Sequence, residues 1–222
     1  MLRFARNDDR QGEVGRSMIE MLGVLAIIGV LTAGGVAGFS KAMEMYKMNK
    51  LVKEYNSLIF NLIQYKQNFQ ISMKQETVLA DFISNTVFLM PDNWKKASYF
   101  YLKDSYDNLF YARYEPEKSQ IMSIIYLGAF VYNNDGTSMK WSKSKNLKNI
   151  CKGIVANIIK PLHSVMAESS LVNYESVKLF TYKGDSTCRT GFDCIKYLTP
   201  TKIENACSVC TTDGNCNIVL IF

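Results

Sequence analysis

The chain has 222 residues, of which 48% are hydrophobic and 21% charged, and its formal net charge is +6. This composition excludes wholesale disorder and leaves room for one moderate domain plus an appendage. The positive excess is scattered over Lys41, Lys47, Lys50, Lys53, Lys140, Lys143, Lys145, Lys148 and Lys152. With no dense basic cluster interleaved with aromatics, it reads as a solvated surface, the alternative being a patch for an anionic partner; no nucleic-acid partner is evident.

Residues 1–15 form a short hydrophilic leader in which Arg3, Arg6 and Arg10 balance Asp8, Asp9 and Glu13. Gly15-Arg16-Ser17-Met18-Ile19-Glu20 follows, and behind it Met21–Phe39 runs without a charged residue. At helical rise that run is about 28 Å long, close to the hydrocarbon thickness of a bilayer. It is too long for the core of a cleaved secretory signal. A plain signal anchor fits the length but gives no reason for Glu20, because a carboxylate at the entrance to an apolar span needs a partner. The positive-inside count is a tie: Arg3, Arg6, Arg10 and Arg16 precede the span, and Lys41, Lys47, Lys50 and Lys53 follow it. All six cysteines lie on the C-terminal side, which makes that side the oxidising one.

Gly15, the leader before it and Glu20 five residues beyond resemble the cleavage region of type IV prepilins and type II secretion pseudopilins. The resemblance is strong over about residues 10–60 and extends to the rest only in general plan. It implies cutting after Gly15 by a prepilin peptidase and methylation of the new N-terminus at Arg16. Glu20 would then be the fifth mature residue, the one that pairs with a neighbouring subunit's terminal amine during assembly. Low dielectric strengthens such a pair. Family members usually have Phe or Met where Arg16 stands, and many have Pro where Ala37 stands. Gly34, Gly35 and Gly38 loosen the helix in that zone, or alternatively serve close helix packing through the Gly34-x-x-x-Gly38 spacing. The resemblance further implies self-association or other pilins as partners, together with the inner-membrane assembly machinery. The location it implies is the bacterial inner membrane, single pass with the C-terminal domain outside the cytoplasm, and then a pilus or pseudopilus.

No Pro or Gly occurs between Lys41 and Phe69, and Met48, Leu51, Tyr55, Leu58, Leu62, Tyr65 and Phe69 alternate spacings of three and four. This stripe predicts that the membrane helix (16–40) continues as an amphipathic half (41–72), about 75 Å in all. The stripe serves as a core face for the chain's own globular domain, as a subunit contact, or as both in different halves.

Residues 73–222 read as that domain. Val78–Ile83 predicts a helical turn or two, and Pro91-Asp92-Asn93 a turn. The aromatics of Tyr99-Phe100-Tyr101 and Leu109–Tyr114 read as strand-packing residues rather than a stacking platform for sugars or bases. A strand is predicted over Ile121–Val131, closed by the turn Asn133-Asn134-Asp135-Gly136. Asn146–Leu162 reads as an amphipathic helix ended or kinked by Pro161, and further strands are predicted at Leu179–Tyr182 and Cys216–Phe222. The expected class is α+β: a long N-terminal helix packed on an antiparallel sheet with a second helix and disulfides.

The cysteines are Cys151, Cys188, Cys194, Cys207, Cys210 and Cys216. An even count behind a membrane segment reads as a disulfide framework. A zinc site on Cys207-x-x-Cys210 is the competing reading, but it lacks a second pair and has only His163 as a histidine. The repeated spacings Cys188–Cys194 and Cys210–Cys216, each spanning a turn Gly, favour bridges across those loops and leave Cys151 with Cys207, among on the order of fifteen connectivities. No phosphate loop, dinucleotide motif or nucleophile elbow occurs. His163 reads as a structural or surface residue. Asp104, Asp107, Glu115 and Glu117 fall in polar turns, not in apolar pockets that would tune them. No enzyme activity, cofactor or metal is expected.

Overall fold

A computed structural model describes residues 11–128, 130–132, 139–141, 146–173, 178–210 and 216–222, with the backbone only for 11–17, 130–132, 139–141 and 178. The turn expected at Asn133–Gly136 lies outside the described residues. The chain divides into two units, Met1–Lys47 and Met48–Phe222. In the first, the described chain is wholly helical and belongs to α1 (Gln11–Ser72). α1 therefore begins four residues ahead of Gly15.

The second unit is α+β. Its strands are β1 (Thr77–Val78), β2 (Lys95–Lys96), β3 (Leu102–Lys103), β4 (Leu109–Glu115), β5 (Gln120–Leu127), β6 (Phe130–Tyr132), β7 (Met139–Trp141), β8 (Glu168–Asn173), β9 (Lys178–Lys183) and β10 (Cys216–Ile221). An antiparallel sheet has the order β2-β3-β4-β5-β10-β8-β9, with β1 on β4; β6 and β7 pair separately. The helices are α2 (Ala80–Asn85), α3 (Leu147–Ile154) and α4 (Pro200–Ala206).

Alternation decides which face of the sheet is buried. Along β5, Ile121, Ser123, Ile125 and Leu127 are buried and the residues between them half-buried. The strand register then carries the pattern across the sheet in rows: Leu102, Phe110, Ile125, Ile218, Leu171 and Phe180 form one, and Ala112, Ser123, Leu220, Ser169 and Tyr182 the next. The C-terminal part of α1 covers this face. Leu51, Tyr55, Leu58, Leu62 and Phe69 of the predicted stripe are buried, joined by Val52 and Ile59, while Met48 and Tyr65 pack at its edge. Ring contacts tie the two layers, Tyr55 to Phe110 at 6.2 Å and Phe69 to Tyr114 at 5.8 Å between centroids. Trp94 stands edge-on to Tyr55 at 4.8 Å and donates its indole N–H to Glu54 on the same helix.

Three predicted elements are shorter or different in the structure. The strand expected through Val131 stops at Leu127, because Gly128 turns the chain with φ +93° and its N–H goes to Asn108 instead of a ladder partner. The helix expected over Asn146–Leu162 is α-helical only to Ile154. Pro161 has no N–H and its ring crowds the carbonyl of Asn157; ahead of it Val155–Ile159 widens to a π turn, with Lys160 N–H on the Val155 carbonyl. Residues Val78–Ile83 divide between β1 and α2. Tyr99 and Phe100, read as strand-packing, lie in a bend outside any strand, and both are exposed.

Two glycines test the packing in opposite directions. A Cβ on Gly184 would lie 1.6 Å from the carbonyl oxygen of Met166. A Cβ on Gly153 would meet only the end of the Val52 side chain, at 2.9 Å, and would gain about 1 kcal/mol of helix propensity. Gly184→Ala is therefore expected to destabilise the second unit by at least about 1–3 kcal/mol and Gly153→Ala by much less. Thermal unfolding of the two variants side by side checks the order.

Candidate functional site

The helix of the first unit is apolar on every side. Met18, Ile19, Met21, Leu22, Val24, Leu25, Ile27, Ile28, Val30, Leu31, Val36 and Phe39 are each exposed by 52% or more. Soluble surfaces do not tolerate a contiguous apolar area of that size. The span needs no other backbone partners, since helical bonding satisfies its peptide groups, and Thr32, its one hydroxyl, donates back to the Ile28 carbonyl at 2.7 Å. It is the one described helix long and apolar enough to cross a membrane. Gly23, Gly29, Gly34, Gly35 and Gly38 have open space where a Cβ would stand, so a second helix could approach their backbone closely.

Glu20 is an exposed helical residue at the start of this run. Gly15 and Arg16 lie in α1 on its N-terminal side, five and four residues before Glu20. The spacing puts Arg16 and Glu20 one turn apart along the same helix.

The cysteines lie in the second unit and are joined as Cys151–Cys207, Cys188–Cys194 and Cys210–Cys216, with Cα separations of 5.8, 5.6 and 4.8 Å. The first bridge links α3 to the 3₁₀ turn Cys207–Val209 that continues α4. An ionic contact reinforces it: Lys148 and Lys152 of α3 hold the two oxygens of Glu204 at 2.5 and 2.6 Å. Those hydrogen bonds draw the Glu204 carboxyl down to about 2. Asn173, buried at the end of β8, donates to the Val209 carbonyl at 2.7 Å and fixes the same turn to the sheet. α4 has a start signal that the sequence reading missed. Thr199 accepts from the Lys202 N–H at the N-cap, and Pro200 occupies the first helical position.

His163 is half-exposed and its Nδ1 lies 2.9 Å from Asp185, whose other oxygen is 3.8 Å from Lys196. This is a surface polar cluster at the turn next to Gly184, with no nucleophile in its hydrogen-bonded contacts.

Asp104 corrects the sequence reading. It is in a turn, as expected, and Ser105 and Asp107 of that turn are exposed, but Asp104 itself is turned into the core and is only 3% exposed. Its carboxylate accepts four hydrogen bonds: from the N–H groups of Tyr106 and Asn108 at 2.7 and 2.9 Å, the Asn108 amide at 2.8 Å and the Tyr55 hydroxyl at 2.8 Å. Asn108 in turn receives the Gly128 N–H at 3.1 Å. One chain of bonds thus joins α1, the β3–β4 turn and the end of β5. Burial pushes the Asp104 carboxyl up, against the downward pull of the four donors; burial and the neighbouring Asp104 push the Tyr55 phenol up as well. The perturbed pair faces core residues, and its donors and acceptors are used within the fold, so its chemistry is structural.

Comparison with protein families, with curated proteins and with solved structures gives no match. The functional reading therefore stands on the residues themselves.

A raised carboxyl pKa gives a stability term that is fully present below the unfolded-state value and lost as pH rises through the folded-state value. The stability of the wild type relative to Asp104→Asn should therefore fall as pH rises across the Asp104 titration. Denaturant unfolding of both proteins over the acid range, beside a carboxyl-carbon NMR titration, measures it. A gap that widens with pH contradicts the assignment.

Proposed function

We propose that this chain is a structural subunit of a type IV pilus or type II secretion pseudopilus. In this reading it is made as a precursor, cut after Gly15 by a prepilin peptidase and assembled through its N-terminal helix. The observation that carries the reading is the combination of an apolar helix with no polar face, Met18–Phe39, and one carboxylate, Glu20, at its entrance. A bilayer solvates the apolar side chains, and a carboxylate at the edge of that span is stabilised further by any added countercharge. A neighbouring subunit whose amino terminus has been freed at Arg16 supplies a countercharge in the same dielectric, and packing of bare glycine backbone supplies contact area without any hydrophobic driving force.

α1 starts ahead of Gly15, and peptidases hold their substrates extended. Cutting there requires about the first two turns of α1 to unwind, and turns at a helix end open more readily than interior ones. Removal of residues 1–15 would leave the apolar run almost at the terminus. The disulfide-bridged unit would then face the oxidising side, and the subunit would move from the bacterial inner membrane into a filament at the envelope or surface.

A second reading has an observation of its own. Tyr99, Phe100, Tyr101, Tyr111 and Tyr126 form a run of ring contacts at 5.1–6.3 Å, and its first two members are exposed. A single-pass anchored binding or adhesion module that never polymerises would use such a surface. Crosslinking in membranes separates the two, since a ladder of oligomers joined through α1 arises only in the first.

Two outcomes are expected of the filament reading. Mass spectrometry of the protein recovered from cells that carry a prepilin peptidase should find Arg16 as the first residue, with one methyl group on its amine; a mature chain still beginning at Met1 overturns it. Glu20→Ala should insert and fold as the wild type does, with unchanged disulfides and unfolding temperature, while assembly drops by at least about a hundredfold, a loss on the scale of a broken buried charge pair. Wild-type filament yield from that variant removes Glu20 from the assembly role.

A further inference from the structure

Four of the six cysteines are gathered in one place. The Sγ atoms of Cys151, Cys210 and Cys216 all lie within 4.8 Å of one another, and Cys207 is bonded to Cys151. All four residues are buried. Two separate disulfides thus touch in the core, and they come from different parts of the chain: α3, the 3₁₀ turn after α4, and the first residue of β10. Neither loop closure nor packing requires two bridges to be adjacent. The third bridge, Cys188–Cys194, has no other cysteine beside it among the described residues.

We propose that these four cysteines are a redox-gated metal site: as thiolates they hold one zinc-class cation, and as two disulfides they exclude it. A tetrahedral zinc bound at about 2.3 Å by four sulfurs places those sulfurs about 3.8 Å apart. The Sγ atoms of Cys151, Cys210 and Cys216 already lie within 4.8 Å of one another, and Cys207 is held beside them by its bond to Cys151. Cys207-x-x-Cys210 has the two-residue spacing of zinc turns, and its turn is closed by the Cys210 N–H on the Cys207 carbonyl at 3.1 Å. The set is all sulfur, four-coordinate and buried, which is the composition of a structural site rather than a catalytic one with an open position. Contacts other than the sulfur bonds also hold the four residues together. Glu204 still joins α3 to α4, Asn173 still holds the turn, and the β10 ladder still fixes Cys216.

The chemistry balances with a dithiol as the reductant. Two dithiol molecules deliver four electrons and four protons, become disulfides themselves, and turn the two bridges into four thiols. Binding one divalent cation releases four protons to the medium. Reoxidation by a disulfide or quinone-linked oxidant removes the electrons, re-forms both bridges and expels the cation. The inference stands on the sulfur cluster alone and is independent of the filament reading.

The test uses the full-length chain in detergent, with Co²⁺ and Zn²⁺ as the probes. Reduced by a dithiol and desalted without air, the chain should take up one equivalent of Co²⁺ with the visible absorption of a tetrahedral tetrathiolate, and Zn²⁺ should displace it. The oxidised chain should take up none. The control Cys188→Ser with Cys194→Ser should keep the full equivalent, whereas Cys151→Ser with Cys210→Ser should lower the apparent affinity by at least a hundredfold. If reduction alone unfolds the chain, adding Zn²⁺ should restore its far-ultraviolet dichroism and protease resistance. The proposal is overturned if the reduced chain gives no tetrathiolate spectrum, if Zn²⁺ fails to restore an unfolded reduced chain, or if the Cys188/Cys194 control loses the metal as fully as the Cys151/Cys210 variant.

Discussion

Burial of one stripe of α1 against the sheet is the contact on which the second unit depends. Leu51, Val52, Tyr55, Leu58, Ile59, Leu62 and Phe69 come from a single helix and reach most of the rows of the sheet's inner face. At about 1.5–3 kcal/mol for each large apolar side chain taken out of water, this stripe is a major share of the core, beside the buried face of α3 and its π turn. The same helix is uniformly apolar from Met18 to Phe39. Within one continuous secondary structure, then, the sequence changes from a pattern suited to hydrocarbon on all sides to one suited to a core on one side and water on the other.

The polar interior serves that contact. A helix lying on a flat apolar face can slide, because dispersion and hydrophobic burial are non-directional. The Tyr55 hydroxyl on Asp104 and the Trp94 indole on Glu54 remove that freedom, since each bond is satisfied only at one axial position of α1. Asp104 accepts four donors, so its unfavourable burial is offset only while the β3–β4 turn, α1 and the Asn108–Gly128 link are all in place.

The sequence made the periodic elements legible and left the non-periodic ones obscure. The alternation of three and four from Met48 to Phe69 identified the buried face of α1, because helical geometry alone converts such spacing into a stripe. It could not show that Val52 and Ile59 also go under, which depends on the width of the surface beneath. β8 was missed because Glu168-Ser169-Ser170-Leu171-Val172-Asn173 reads as polar. The strand is interior all the same, between β10 and β9, where small hydroxyls fit in the row with Ala112 and Asn173 finds the Val209 carbonyl. Asp104 was read as a solvated turn residue because its partners, Tyr55 and Asn108, are brought to it by tertiary structure; only the local Asp-to-Asn turn spacing could have hinted at it. For the candidate site the balance is different. The span, Gly15 and Glu20 were visible from composition and spacing, whereas the meeting of two cysteine pairs in one cluster is a property of the fold.

β10 lies in the interior of the sheet, hydrogen-bonded to β5 on one side and to β8 on the other. It is also the last of the described strands to leave the ribosome. Until it arrives, β4–β5 and β8–β9 are separate hairpins with no strand to join them, and Cys210 has no Cys216 to bridge. The sheet therefore cannot close until nearly all of the described chain has been made, and its central ladder is the longest-range pairing in the fold.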